Sequence, residues 1–199
     1  MFYPLTMWHA LRHPLEAMRY SEAELGDAPE DQYSDKLSPP IFLLLTLLIA
    51  HAIELALVPA QPALPVFLAD ERNLLMFRAL MFSLYPLTIA VTIVRVRAAR
   101  LDRETLRRPF YSQCYVAAPF VLGLDIGVII VRLGDKTGIV IGLIVAIAAC
   151  LWLFTVEILW FHRKLRLSYL RASASVAFAF AVATVLIICV ALAIDSITS

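Results

Sequence analysis

Residues 41–60, IFLLLTLLIAHAIELALVPA, form an apolar run broken only by His51 and Glu54 and preceded directly by Pro39 and Pro40. At ~1.5 Å rise per residue such a run crosses a ~30 Å hydrocarbon core, and two prolines suit a helix start because they lack N–H groups that the first turn leaves unpaired. A membrane-spanning helix is the expectation. Four further apolar runs, over about residues 74–94, 113–131, 138–161 and 173–194, bring the expected spans to five. The composition agrees: 61% of the residues are hydrophobic and 17% charged, where a soluble domain carries about 25% charged. The expected fold is therefore an all-α membrane protein of five transmembrane helices over residues 39–199.

The basic residues set an orientation. Arg12, Arg19 and Lys36 precede span one; Arg95, Arg97, Arg100, Arg103, Arg107 and Arg108 follow span two; Arg163, Lys164, Arg166 and Arg171 follow span four. These thirteen of the seventeen Lys and Arg fall on one side, with Arg72, Arg132 and Lys136 on the other and Arg78 inside span two. Cytoplasmic segments carry the Lys and Arg excess, which predicts a cytoplasmic N-terminus and, after five spans, a C-terminus outside. The net charge of +1 hides this segregation and offers no case for nucleic acid.

Ahead of the spans, Leu5, Trp8, Leu11, Leu15 and Met18 recur at helical spacing. The pattern predicts an amphipathic helix over residues 1–20, bent or restarted at Pro14, lying in the headgroup layer. Residues 21–38 are acidic and read as a solvated linker. The six arginines of residues 95–108, with Trp8, could hold lipid headgroups or a partner, at about 1 kcal/mol per basic residue near the surface. Tyr111, Tyr115, Trp152, Trp160 and Tyr169 are expected to be mostly interface anchors.

Ionisable groups at membrane depth mark a site, because each costs about 2.5–3.5 kcal/mol on insertion scales and needs a partner. At ~1.5 Å per residue, His51, Glu54, Arg78 and Asp125 fall at similar depth on three spans. They predict either an ion pair of Arg78 with Glu54 or Asp125 that fixes packing, or a substrate- or proton-binding pocket of a small permease or channel component. Glu157 is expected to reach the headgroups or Arg163. No HExxH, GxSxG or Walker lysine motif is present, and Cys114, Cys150 and Cys189 lack metal-ligand spacing, so neither an enzyme nor a cofactor is expected.

Three short stretches resemble the Yip1-like superfamily of five-span membrane proteins. DKLSPPIFL (35–43) is similar to the family's D-L-Y-G-P-x-W-I approach to span one, matching at Asp35 and Pro39 with Ser38 in place of glycine. YSQCYVAAPF (111–120) is similar to its span-three motif G-Y-S-x-x-x-x-x-P, matching at Tyr111, Ser112 and Pro119 with Phe110 replacing glycine, and SYLRA (168–172) resembles a basic turn of bacterial members. The resemblance implies no enzymatic activity. Eukaryotic members serve vesicle trafficking with small GTPases, whereas bacterial relatives are mostly uncharacterised or labelled permease. The expectation for this chain is a non-enzymatic accessory or organising subunit of the bacterial cytoplasmic (inner) membrane, in contact with lipids and with further copies or other membrane proteins.

Overall fold

A computed structural model describes residues 3–26, 33, 37–58 and 70–198. Among the described residues seven helices follow in order: α1 (Tyr3–Arg12), α2 (Pro14–Glu24), α3 (Pro39–Leu57), α4 (Glu71–Val96), α5 (Arg103–Leu133), α6 (Lys136–Leu165) and α7 (Tyr169–Thr198). The last five are long and apolar enough to cross a membrane, as the five apolar runs predict. Residues 59–60 of the expected first span, and 27–32 and 34–36 of the acidic stretch, lie outside the described residues.

Local chemistry sets the helix starts. Pro39 and Pro40 open α3 behind Ser38. Asp70 accepts hydrogen bonds from the backbone N–H groups of Arg72 and Asn73, and Asp135 from those of Thr137 and Gly138, so each caps the helix that follows it. At α5, Asp102 accepts from the Thr105 N–H at 2.9 Å while the Thr105 hydroxyl oxygen accepts from the Asp102 N–H at 3.1 Å. This reciprocal box starts α5 ten residues ahead of the expected span. Arg103, Arg107 and Arg108 therefore stand on the first turns of α5, and Arg95 on the last turn of α4, instead of in a loop. α4 runs unbroken through Pro86.

α5 is the axis of the bundle, with 61% of its apolar stretch buried against 11% in α7. It packs on α1, α2, α3, α4 and α6, while α7 lies against α4 and α6. Lipid tails are as apolar as leucine, so close packing and polar contacts hold such helices together more than removal of apolar surface from water does. The α5–α6 pair shows the first of these. A Cβ on Gly142 would lie 2.5 Å from the Gly127 carbonyl oxygen, and one on Gly127 would lie 2.8 Å from the Gly142 carbonyl oxygen. The two backbones touch there because neither residue has a side chain.

α1 and α2 sit at the end of the bundle where α4 leads into α5 and α6 into α7, the basic end. Pro14 divides them, as expected, but α2 continues to Glu24, beyond the expected helix. Ser21 is fully buried, and the Tyr33 hydroxyl donates to its carbonyl at 3.1 Å. Burial pushes the Tyr33 phenol up to about 12, so it stays a donor at neutral pH. Ala10, Ala17 and Met18 are buried in the core that Tyr115 and Phe42 share, and Tyr3 donates to Thr46 on α3 at 3.2 Å. Glu22 pairs with Lys164 at the end of α6. The N-terminal helices are thus clamped to the bundle by contacts to α3, α5 and α6.

The aromatic residues divide otherwise than expected. Tyr115 and Trp160 are fully buried core residues, because α2 covers the basic end of α5 and the Tyr115 hydroxyl donates inward to the Leu37 carbonyl at 2.8 Å. Tyr169 is exposed and stacks on His162 with ring centroids 4.0 Å apart.

Candidate functional site

Toward the opposite end of the bundle, α3, α4 and α5 bring the four expected ionisable residues together. His51 and Glu54 share one face of α3, three residues apart. Arg78 reaches them from α4: its Nη1 lies 2.6 Å from Glu54 Oε2 and 3.2 Å from His51 Nδ1, and its Nη2 lies 3.4 Å from Asp125 Oδ1 on α5. His51, Glu54 and Asp125 are buried. Each of the two pairings expected for Arg78 is therefore present, one from each of its guanidinium nitrogens.

A fifth member joins them. Arg132 Nη1 lies 2.5 Å from Glu54 Oε1, so Glu54 is held between two guanidinium groups. The sequence reading places Arg132 outside the spans. α5 instead runs to Leu133, and the turn into α6 is only Gly134 and Asp135, which keeps Arg132 on the helix. Seven residues separate it from Asp125, two turns on the same face, and that spacing is the signal that could have found it.

Two carboxylates meet two guanidinium groups here, with His51 beside them. Charges held this way at membrane depth offset much of each other's desolvation, where a lone one would cost several kcal/mol. The three possible metal ligands His51, Glu54 and Asp125 all contact Arg78, which places a cation at the point where a metal would have to sit. Among the described residues no group of three His, Cys, Asp or Glu is placed to hold a metal ion. One polar atom stands out: Asp125 Oδ2 is buried and has no hydrogen-bond partner among the described residues.

Glu157 does not reach the headgroups or Arg163. It is fully buried on α6, where Gln113 Nε2 of α5 donates to its Oε2 at 3.2 Å. The face of α6 that carries Val156, Glu157, Trp160 and Phe161 turns toward α5 and α2, so the acid points inward. Removing one partner of a buried hydrogen bond costs about 1–3 kcal/mol, whereas replacing both by apolar groups is close to neutral. Gln113→Leu is therefore expected to destabilise the protein in detergent unfolding by about that amount, and Gln113→Leu with Glu157→Leu to recover most of it. Equal losses in the two variants would show that the bond contributes nothing.

At the basic end, Arg95, Arg97, Arg100, Arg103, Arg107 and Arg108 are all exposed. Trp8 is 58% exposed, with Leu5 and Leu11 beside it and the Arg12 guanidinium 4.9 Å from its ring centroid. α1 packs through its other face, with Thr6 and Ala10 buried. Two apolar grooves open on the sides of α4: one of about 560 Å³ against α5, ending at Arg103 and Arg107, and one of about 650 Å³ against α7, ending at Arg95.

No family model matches the chain, and no curated protein or solved structure matches it. The geometry alone therefore carries the functional assignment.

Proposed function

We propose that the chain is a non-enzymatic multi-pass protein of the bacterial cytoplasmic (inner) membrane that acts as an accessory or organising subunit of a membrane complex. The carrying observation is the N-terminal helix pair. α1 is fixed to the bundle through Tyr3, Thr6 and Ala10, yet it turns Leu5, Trp8 and Leu11 away from it. A rigid base with an outward apolar stripe suits the membrane interface or a partner helix, and the stripe is not buried among the described residues. The excess of Lys and Arg at the same end supports a cytoplasmic N-terminus and an outward C-terminus. On this reading the chain is a Yip1-like protein working beside other membrane proteins or further copies of itself. The charge cluster then serves packing, holding α3, α4 and α5 in one register.

Asp125 Oδ2 favours a second reading, a small permease or channel component in which His51, Glu54, Arg78 and Asp125 pass a proton or bind a substrate. An unpaired acceptor beside a histidine is what such a relay uses.

Purification from the native host in mild detergent, followed by mass spectrometry, separates the two. A stoichiometric partner protein is expected, and Trp8→Ala is expected to release it while unfolding free energy stays within about 0.5 kcal/mol, as for an exposed residue. A partner unaffected by Trp8→Ala, together with a pH-dependent transport function abolished by Asp125→Asn in a stable protein, would establish the permease reading instead.

A further inference from the structure

The groove of about 650 Å³ between α4 and α7 falls within the ~300–1,000 Å³ common for ligand sites. Its walls include Leu87 and Val91 of α4 and Phe178, Val182 and Leu186 of α7. Thr88 and Thr92 also line it, but their hydroxyls donate within α4, to the Tyr85 carbonyl at 3.0 Å and the Thr88 carbonyl at 2.8 Å, so they ask for no polar atom from an occupant. Length is one constraint on what fits. From Ala174 to Leu186, both of which line the groove, α7 rises about 18 Å at ~1.5 Å per residue, close to the ~15 Å of one leaflet of a ~30 Å hydrocarbon core.

Charge is the other. Arg95, on the last turn of α4, lines the groove at the basic end of the bundle. Arg171 stands on the first turn of α7, three and four residues ahead of Ala174 and Ser175, which line the groove, so it lies on the same face of that helix. Both arginines are exposed, and neither forms an ion pair among the described residues. No carboxylate is among the described residues that line the groove. A soluble anion would answer the two charges and leave the apolar walls uncovered. An apolar helix of another protein would cover the walls and leave the charges unanswered. A lipid with an anionic head answers both.

We propose that the groove between α4 and α7 binds one phospholipid with a net negative headgroup, of the phosphatidylglycerol class, its phosphate held by Arg95 and Arg171 and one acyl chain lying along Val91, Phe178 and Val182. A zwitterionic headgroup offers the same phosphate but brings an ammonium to a place that already holds two cations. The assignment goes beyond the accessory-subunit reading and does not depend on it, because α1 and α2 contribute no residue to this groove.

The test is native mass spectrometry of the delipidated full chain in detergent with equimolar dioleoyl phosphatidylglycerol and dioleoyl phosphatidylethanolamine. The unaltered protein is expected to retain the first about fivefold over the second, the effect of one basic residue on an anionic lipid. Arg95→Gln and Arg171→Gln should each lower phosphatidylglycerol retention about fivefold. Arg100→Gln removes the same charge from a residue that does not line the groove, and it should leave retention unchanged. Ala174→Trp, at an exposed position, fills the space between Arg95 and Phe178 and should lose phosphatidylglycerol with helicity intact. Equal retention of the two lipids by the unaltered protein would overturn the assignment. So would a loss in Arg100→Gln as large as in Arg95→Gln, which would mean diffuse attraction to the basic end, or undiminished phosphatidylglycerol retention in Ala174→Trp.

Discussion

Glu54→Ala is expected to lower the unfolding free energy in detergent by about 3–5 kcal/mol, among the largest single losses in this chain. Glu54 lies 2.6 Å from Arg78 and accepts from Arg132 at 2.5 Å, and its removal takes a carboxylate from both cations while Arg78 keeps Asp125. The penalty is one of uncompensated charge more than of lost attraction, and a compensating variant can separate the two. Glu54→Gln with Arg132→Gln removes one charge of each sign and leaves Arg78 paired with Asp125, 3.4 Å apart. That double variant is expected to recover at least half of the loss. A double variant no more stable than Glu54→Ala would mean that shape at residue 54, and not charge, decides the packing of α3 on α5.

The second large effect belongs to the α5–α6 contact. Gly142→Val should destabilise the protein by about 3 kcal/mol, at the upper end of the usual overpacking range, because the clash is with backbone. A Cβ at Gly142 meets the Gly127 carbonyl oxygen at 2.5 Å and the Val131 nitrogen at 2.8 Å, and no rotamer relieves either contact. Gly138 is the control on the same helix. A Cβ there has nothing nearer than the Ile130 carbonyl oxygen at 3.5 Å, so Gly138→Ala should stay within about 0.5 kcal/mol. Comparable losses in the two variants would show that helix propensity, not the close approach of the two helices, governs this contact.

These two predictions differ in how far a reader of the sequence could have come. The Glu54 cluster was legible in its members: His51, Glu54, Arg78 and Asp125 are conspicuous because each breaks an apolar run, and depth counted at ~1.5 Å per residue places them together. Arg132 falls in the outer connection by sequence because the apolar run ends before it, although the helix does not. Helix length follows from caps and the turn, and here the Asp135 cap leaves only two residues between α5 and α6. The glycine contact also left a trace that was not used. Gly123 and Gly127 form one small-xxx-small pair and Gly138 and Gly142 another, the spacing that lets helices approach closely in lipid.

Other features had no local signature. Tyr115 and Trp160 carry the composition of interface anchors, and only the covering of α2 over the basic end of α5 makes them core. Glu157 lies near the end of its span, where a carboxylate can reach water, and the rotation of α6 about its axis turns it to Gln113 instead. In the same way the arginines of residues 95–108 follow the second apolar run with no local sign of which are helical. The Asp102–Thr105 box winds three of them into α5, which puts Arg103 and Arg107 one turn apart beside Glu104.

The sequence by itself determined the number of spans, the segregation of basic residues to one end, and which ionisable groups lie at membrane depth. Each of these is a count along the chain set against the thickness of a bilayer, so no neighbour in space is needed to make it. Only the tertiary structure decided that α5 is the axis, that Glu54 is shared by two arginines, that Glu157 faces inward, and that apolar grooves open on the sides of α4. Those depend on how each helix is rotated and how closely it approaches the next. Residues 54, 78, 125 and 132 meet through three separate helices, and the run of apolar residues between them is nearly the same whichever face turns inward.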